Sequence, residues 1–357
     1  MLSKRIFFST TLVANTKKVI SVHSMYFFTI RHWLALLVSL CLFGCSNKPE
    51  IIEITGSKMG TTYHITVIAD QLPPDDLAQQ IDQLLSRVDN SMSTYKNDSE
   101  ITQFNRMPVN QLLEISQEFA DVLNISRKVW ELSDGAFDPT VGPLVDLWGF
   151  GVSPKADSVP SDQAINQALQ KIGFDAIQLD GLLLSKQKPI ALDLSAVAKG
   201  YAVDSVANLL EMLAIPDYLV EVGGEIRVSG LNPENQLWRV AIEQPQLIGM
   251  VNRVINLTDI SLATSGDYRN YFEKDGVRFS HTIDPRTGRS IRHNLASVTV
   301  LTDSCAEADA WATAFSVIGA NQAVQLADKI GLAAYLLVRQ EAQFVPVLSS
   351  NFEYYLD

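Results

Sequence analysis

Cysteine is scarce in this chain of 357 residues, which contains three cysteines, at positions 41, 45 and 305. Cys41 lies in a hydrophobic leader and Cys45 closes that leader. Cys305 is then the only cysteine within residues 51–357, so the folded body has no intrachain pair, which excludes a disulfide-stabilised domain. Cys305 stands alone in the opening turn of a predicted helix, where a small packing residue is the expected role.

Basic residues are also in the minority, since 28 Lys and Arg face 40 Asp and Glu for a net charge of −12. Residues 1–44 hold five of these basic residues and no acidic one, so the part from Cys45 onward carries −17. An acidic body offers no basic patch for a phosphate backbone, which argues against a nucleic-acid partner. A phosphorylated ligand would have to be small and be bound by local groups or by a metal.

The apolar run of the leader, from Trp33 to Phe43, is too short to span a bilayer. It follows the basic residues Arg31 and His32, which is the pattern of a cleaved signal peptide over residues 1–44. Translation from Met25 is the alternative start within this segment.

The four residues that end at Cys45 resemble a bacterial lipobox, which predicts that Cys45 is lipidated and becomes the mature N-terminus. Ser46 directly after it favours the outer membrane. Residues 45–50 would then form a short tether, followed by one domain over residues 51–357.

Strands and helices mix without strict alternation after the tether, which predicts an α+β fold. Alternating or apolar runs predict strands over residues 59–67 and 189–194. Ser116 is expected to cap an amphipathic helix, and Asp275-Gly276 predicts a hairpin. Residues 144–150 are interpreted as a hydrophobic turn with Trp148 in the core.

The chemically richest stretch begins at His281, which lies close to Asp284 at the end of a predicted strand and before a Pro-Arg-Thr-Gly turn. A β-branched run at 297–301 then predicts a half-buried strand. A helix is expected to begin at Ser304, with the hydroxyl as its cap and the Glu307 side chain reaching back in a capping box.

Asp309 and Thr313 lie four residues apart on that helix, so both side-chain oxygens project from one face. A carboxylate and a hydroxyl form half of a site for Mg²⁺, which takes oxygen ligands and is completed by waters and substrate phosphates. The alternative is that Thr313 only bonds back to the carbonyl of Asp309, as threonine often does within helices.

Several motifs resemble those of the ApbE family, in the family's order and across nearly the whole chain after the leader. They are MGTTY at 59–63, STY at 93–95, DGAFDPTVGPLVDLWGFG at 134–151, DLSAVAKGYAVD at 193–204, VGGE at 222–225, SGDYRNYF at 265–272, SHTIDPRTGR at 280–289 and EADAWATA at 307–314. The resemblance implies one ApbE-like domain and a periplasmic, lipidated FAD:protein FMN transferase. Such an enzyme splits FAD at the pyrophosphate, attaches FMN to a target threonine through a phosphoester bond and releases AMP.

The same resemblance implies roles for individual residues. Asp309 and Thr313 would hold Mg²⁺ together with the backbone carbonyl of Ala196. The FAD site would be lined by Met59, Tyr95, Ala136, Phe137, Asp138, Lys199 and Ile283, with Ser265 and Gly266 near the phosphates. His281 would be the general base that activates the threonine hydroxyl. His64 is expected to be structural, and His293 to be solvated in a charged turn.

Two other functions stay open at this point. The first is a Mg²⁺-dependent FAD pyrophosphatase, in which water replaces the threonine and the products are FMN and AMP. The second is a lipoprotein that binds flavin without chemistry, although pure binding would need no base such as His281. The expected acceptor is a protein with a target threonine, and a subunit of a respiratory membrane complex is the first candidate. The reaction would take place at the periplasmic face of a membrane.

Overall fold

The computed structural model describes residues 50–69, 73–151, 158–245, 251–266, 271–341 and 343–356. The predicted signal peptide, the lipobox with Cys45 and most of the tether lie outside the described residues. All described residues belong to one compact unit, Pro49–Asp357.

The helices and strands are numbered separately in chain order. The helices are α1 Leu77–Met92, α2 Glu100–Arg106, α3 Gln117–Leu132, α4 Gly142–Leu147, α5 Asp162–Leu169, α6 Ala198–Met212, α7 Cys305–Ile318 and α8 Ala320–Ile330. The strands are β1 Glu50–Lys58, β2 Thr61–Ala69, β3 Leu113–Glu114, β4 Ile177–Asp180, β5 Leu183–Lys186, β6 Asp217–Val222, β7 Glu225–Ser229, β8 Trp238–Glu243, β9 Val251–Leu257, β10 Ile260–Gly266, β11 Tyr271–Lys274, β12 Val277–Ser280, β13 Ile283–Asp284, β14 Arg289–Ser290, β15 Leu295–Thr302, β16 Ala333–Gln340 and β17 Gln343–Leu348. Short 3₁₀ turns cover Phe174–Ala176 and Ser350–Tyr355.

An eight-stranded antiparallel sheet is the centre of the fold, with the order β1-β2-β6-β7-β10-β15-β16-β17. Both of its faces are covered, because alternate residues of one strand join different hydrophobic clusters. In β16, Leu336 packs with the cluster that includes α1, α3, α6 and α7, whereas Tyr335 and Leu337 pack with the cluster of β8 and β9. Separate helices and a mainly antiparallel sheet confirm the predicted α+β class.

Helix α7, which carries the predicted metal ligands, is capped differently from the prediction. The Ser304 hydroxyl accepts the N–H of Glu307 at 3.3 Å, as expected, but the Glu307 carboxylate accepts from Lys128 Nζ at 2.6 Å. The second cap comes instead from Asp204 of α6, whose carboxylate accepts the N–H of Cys305 at 3.0 Å and the hydroxyl of Ser304 at 2.8 Å. The negative charge of this buried carboxylate also interacts favourably with the positive N-terminal end of the α7 dipole.

Helices α6 and α7 approach each other closely at Gly200. A Cβ at that position would lie 2.3 Å from the backbone oxygen of Cys305, which is too short for any real contact. Cys305 itself is fully buried, as predicted, and its thiol lies 3.6 Å from the carbonyl oxygen of Ile226. The glycine therefore sets the distance between the two helices that bring Lys199 and Asp309 together.

Gly200→Ala is expected to lower the free energy of unfolding by about 1–3 kcal/mol, the usual cost of overpacking. Alanine is more favourable than glycine within a helix by roughly 1 kcal/mol. A net loss of stability would therefore show that the steric clash outweighs the gain in helix propensity. Urea denaturation measures the change. Asn208→Ala, at an exposed position of the same helix, is the matched control and should be neutral or slightly stabilising.

Further local predictions differ from the structure. The strand predicted as half-buried over 297–301 lies within β15, where all five residues are buried because both faces of the sheet are covered. Met59 and Gly60 form the turn between β1 and β2, with φ of 56° and 74°, so the predicted strand over 59–67 begins at Thr61. Residues 144–150 contain the end of α4 rather than only a turn, although Trp148 is buried as expected. His293 is half-buried, and its Nε2 lies 3.3 Å from the carbonyl oxygen of Val317, so the prediction of a solvated ring was wrong.

The predicted strand over 189–194 also differs from the structure. Ile190, Leu192 and Leu194 are buried in alternation, as in a strand, but the segment does not pair with a neighbouring strand in the described sheets. The side chain of Asn105 supplies the hydrogen bonds: its Oδ1 accepts the N–H of Leu192 at 2.7 Å and its Nδ2 donates to the Leu192 carbonyl at 2.9 Å. This clamp holds the chain just before Ala196.

No helix of the described part of the chain is long and apolar enough to cross a membrane.

Candidate active site

A cavity of about 700 Å³ opens at one end of the large sheet, where α6, α7, the β6–β7 turn and the end of β10 meet. Its volume falls within the range of about 300–1,000 Å³ that is usual for ligand sites. Apart from Met59 and Cys45, every residue predicted for the site lines this cavity. These residues are Tyr95, Ala136, Phe137, Asp138, Ala196, Lys199, Ser265, Gly266, His281, Ile283, Asp309 and Thr313.

Met59 is not among the lining residues. It lies at the β1–β2 turn and packs against the hydrophobic core, so its place gives no support to the predicted FAD contact. Cys45 lies outside the described residues.

A lysine between two buried carboxylates forms the charged centre of the cavity. Lys199 Nζ lies 2.8 Å from Glu225 Oε1 and 3.4 Å from Asp309 Oδ2. Asp309 Oδ2 also accepts the N–H of Gly200 at 3.2 Å. Both carboxylate side chains are 5% exposed, so water screens these charges poorly.

The charges and burial in this centre shift the pKa values of its groups. Burial raises the pKa of Glu225, and the negative charge of Asp309 adds to the rise while the ammonium group of Lys199 opposes it. Burial alone would lower the pKa of Lys199, but the carboxylates of Asp309 and Glu225 outweigh it and raise the value. The lysine is therefore firmly charged.

The hydroxyl of Thr313 faces the cavity rather than serving only its own helix. Its Oγ1 lies 3.1 Å from Ser265 Oγ at the end of β10, and both residues line the cavity with Ala196. The described residues include no group of three or more His, Cys, Asp or Glu side chains able to hold a metal. A cation here would therefore bind to Asp309, hydroxyl and carbonyl oxygens, and phosphates of a ligand, which is the coordination that Mg²⁺ tolerates.

The described lining is rich in negative charge. Its carboxylates belong to Asp138, Asp193, Glu225, Glu243 and Asp309, and they face one lysine, Lys199, and the imidazole of His281. A ligand with two phosphate charges would be repelled by this lining unless a further cation entered with it.

Asp138 is held as part of the wall. Its Oδ1 accepts the N–H of Thr140 at 2.8 Å and the hydroxyl of Thr140 at 2.6 Å, which fixes the turn after Phe137. Burial raises the pKa of Asp138, and the bonds from Thr140 oppose the shift. In the structure, Asp138 fixes the backbone of the cavity wall next to Ala136 and Phe137.

His281 follows β12 and lies on a well-packed support. The rings of Phe272 and Phe279 stack at 5.1 Å across the β11–β12 hairpin, whose turn at Asp275-Gly276 confirms the prediction. The His281 ring meets the ring of Phe150 edge-on at 6.3 Å. The cluster of aromatic rings fixes the loop that presents the imidazole to the cavity.

Tyr95 lies at the cavity wall with 80% of its surface exposed. An exposed aromatic ring beside a pocket is suited to stacking on a flat ligand ring.

Comparison with known proteins agrees with the motifs. The model of the ApbE family matches residues 59–336. The chain is 42% identical over 332 residues to the FAD:protein FMN transferase of Vibrio cholerae, with 92% of this chain and 99% of the relative covered. The chain belongs to the ApbE family.

Solved ApbE structures share this fold. The flavin transferase ApbE from Vibrio cholerae superposes with a TM-score of 0.80 at 40% identity, covering 86% of this chain and all of that one. The apo flavinyl transferase ApbE of Pseudomonas stutzeri gives a TM-score of 0.81 at 36% identity and covers 86% of this chain and 97% of that one. The mixed helical and antiparallel architecture is therefore that of the family.

Sequence reasoning missed Glu225 as a member of the site in this ApbE-family chain. The residue is the last of the VGGE motif and is 3% exposed, and a glutamate is rarely so buried unless it is paired, as Glu225 is with Lys199. A glutamate directly after two glycines was a usable indication, since glycines let the backbone turn into a pocket. Gly223 and Gly224 have φ of 62° and 97° and carry out this turn.

Proposed function

We propose that this chain is an FAD:protein FMN transferase that acts with Mg²⁺, moves FMN from FAD to a threonine hydroxyl of an acceptor protein and releases AMP. The observation that carries the proposal is the convergence of the predicted residues in one cavity, with the Asp309 and Thr313 oxygens and the His281 imidazole on the same lining.

The walls suit the two parts of FAD differently. Tyr95, Phe137 and Ile283 offer flat or apolar surface for a ring system. Ser265 and Gly266, at the end of β10, offer a hydroxyl and backbone close to Thr313, where the pyrophosphate would lie. FAD would thus bind with its phosphates toward α7 and its flavin toward the exposed aromatic side.

The residues present fit a magnesium ion. Asp309 provides a buried carboxylate, Thr313 a hydroxyl on the same face, and Ala196 a nearby backbone carbonyl. When bound, Mg²⁺ would neutralise charge on the pyrophosphate and favour its cleavage. The acidic lining makes such a cation necessary for a ligand with two phosphate charges.

In the chemical step, His281 accepts the proton of the threonine hydroxyl. The threonine oxygen forms a bond to the phosphorus on the FMN side of FAD. The bond between that phosphorus and the bridging oxygen breaks, and the bridging oxygen leaves on AMP. Lys199 places a positive charge near the phosphates and helps to hold the developing charge.

Incubation of the mature protein with FAD, Mg²⁺ and candidate acceptor proteins tests the proposal. A fluorescent flavin band that survives denaturation, together with stoichiometric AMP, is the expected result. AMP and free FMN without a labelled protein would identify the pyrophosphatase instead. Binding of FAD with no product at all would identify the flavin-binding lipoprotein.

We further propose that the enzyme works at the periplasmic face of a membrane, anchored by a lipid on Cys45, with the outer membrane favoured by Ser46. The acceptor would be a threonine-bearing subunit of a respiratory membrane complex. The basic and apolar leader that ends at Cys45 supports this location.

Cys45→Ser is expected to abolish lipidation, because Cys45 directly follows the apolar run of the leader. Labelled fatty acid should no longer be incorporated, and the protein should leave the detergent phase. Cys305→Ser, at the buried cysteine, is the control and should stay lipidated. Labelling of the Cys45→Ser variant would contradict the lipobox.

A further inference from the structure

We propose that Glu225 is a positioning residue that draws the ammonium group of Lys199 off Asp309 and so keeps this carboxylate able to bind a divalent cation. The inference rests on the proposed function, since it concerns the cation site named there. It assigns a role to a buried carboxylate that the predicted ligand set does not use.

The two contacts of Lys199 are unequal. Its Nζ lies 2.8 Å from Glu225 Oε1, which is the length of a strong charge-assisted hydrogen bond, whereas 3.4 Å to Asp309 Oδ2 is long for such a bond. Because both carboxylates are buried, each contact is stronger than a surface ion pair. Glu225 is thus the main holder of the lysine charge.

Lys199 cannot easily leave this pair of carboxylates. Its side chain is 29% exposed, and its stem passes Gly223, where an added Cβ would lie 3.2 Å from Lys199 Cδ. The ammonium therefore divides between Glu225 and Asp309. If the ammonium group bound mainly to Asp309, its positive charge would lie where Mg²⁺ must bind the carboxylate oxygen of Asp309 at about 2.0–2.1 Å.

Glu225 can accept a further hydrogen bond. Its Oε2 is buried and has no hydrogen-bond partner among the described residues. The turn at Gly223 and Gly224 fixes the backbone from which the glutamate reaches Lys199. When a cation repels the lysine from Asp309, Glu225 can accept the ammonium with both oxygens, and the lysine stays beside the site.

Calorimetric titration of the mature protein with Mg²⁺ alone tests this inference without any turnover. Glu225→Asp keeps the charge but shortens the side chain by one methylene and so removes the contact with Lys199. We expect Glu225→Asp and Glu225→Gln each to bind Mg²⁺ about tenfold more weakly than wild type, a coupling typical of residues in one ion-pair network. Lys199→Met, which lacks the competing charge, should bind Mg²⁺ more tightly than wild type.

The double variant Glu225→Asp/Lys199→Met decides how Glu225 acts. In the proposal it binds Mg²⁺ within about twofold of Lys199→Met, because the glutamate works through the lysine. An equal loss in both backgrounds would overturn the inference and make Glu225 a direct partner of the cation. Wild-type affinity in Glu225→Asp would overturn it too, since charge alone would then be sufficient.

Two further readouts complete the test. Thermal melting verifies that each variant is folded. If the Glu225 variants do not fold, the Mg²⁺ affinity of Lys199→Met decides alone, and an affinity equal to that of wild type overturns the inference. A wild-type protein that binds no Mg²⁺ would refute the proposed magnesium site as well. Normal wild-type binding with an unaffected Glu225→Asp would refute this inference alone, so the two failures are distinguishable.

Discussion

Asp309→Ala is expected to reduce flavin transfer by about 10³-fold or more, since metal stabilisation of phosphate charge contributes several kcal/mol and each 1.4 kcal/mol is tenfold in rate. The substitution removes the buried carboxylate that lies on one helical face with Thr313. Alanine is the best helix former, so α7 should stay intact. Transfer is measured as protein-bound flavin fluorescence under single-turnover conditions.

Glu307→Ala is the matched control for this prediction. Glu307 lies on the first turn of the same helix, and its carboxylate pairs with Lys128 outside the cavity lining. Loss of that partly exposed pair should cost little stability and leave transfer near the wild-type rate. Unchanged transfer in Asp309→Ala would assign the cation to another carboxylate, and full wild-type transfer in excess chelator would remove the metal from the proposal.

Local patterns in the sequence predicted part of the cavity lining, and the family resemblance supplied the rest. The four-residue spacing of Asp309 and Thr313 fixes their common face through helix geometry alone. Ser304 begins that helix as predicted, and its hydroxyl accepts the N–H of Glu307. The Asp275-Gly276 turn likewise forms a hairpin, because both residues adopt positive φ angles of 53° and 75°.

Contacts between distant segments were not predictable from such patterns. The extended segment before Ala196 is hydrogen-bonded by the side chain of Asn105, 87 positions away from Leu192, and not by a strand. The segment that forms β10 is short and rich in small hydroxyl residues, and its place in the middle of the sheet follows from its pairing with the distant strands β7 and β15. Its Thr264 hydroxyl is satisfied across the sheet by Thr299 at 2.8 Å.

The ion-pair centre shows the same limit most clearly. Lys199 was expected from the family resemblance, yet its main partner Glu225 lies at the start of β7, 26 positions later. The local sequence around Lys199 or Glu225 does not indicate that two carboxylates share one lysine. Such an arrangement depends on the close approach of α6 and α7 at Gly200, which only the packed structure defines.

His281→Ala is expected to lower the rate of flavin transfer by about 10²–10⁴-fold, the usual contribution of a positioned general base. The threonine hydroxyl would lose the group that accepts its proton, while Asp309, Thr313 and the aromatic wall stay in place. FAD affinity should therefore change little. Rapid mixing with saturating FAD gives the transfer rate, and fluorescence titration of the same preparation gives the affinity.

A structural role for His281 predicts a different result. If the ring mainly tied the hairpin to the turn at Asp284, its loss would lower FAD affinity and thermal stability together. The hairpin and the turn also have contacts of their own, because Phe272 and Phe279 stack within the hairpin and the Ser290 hydroxyl donates to the Ser280 carbonyl at 2.8 Å. His64→Ala, at an exposed histidine paired with Glu221, is the control and should leave both measurements unchanged. Weakened FAD binding with near-normal transfer at saturation in His281→Ala would refute the base role.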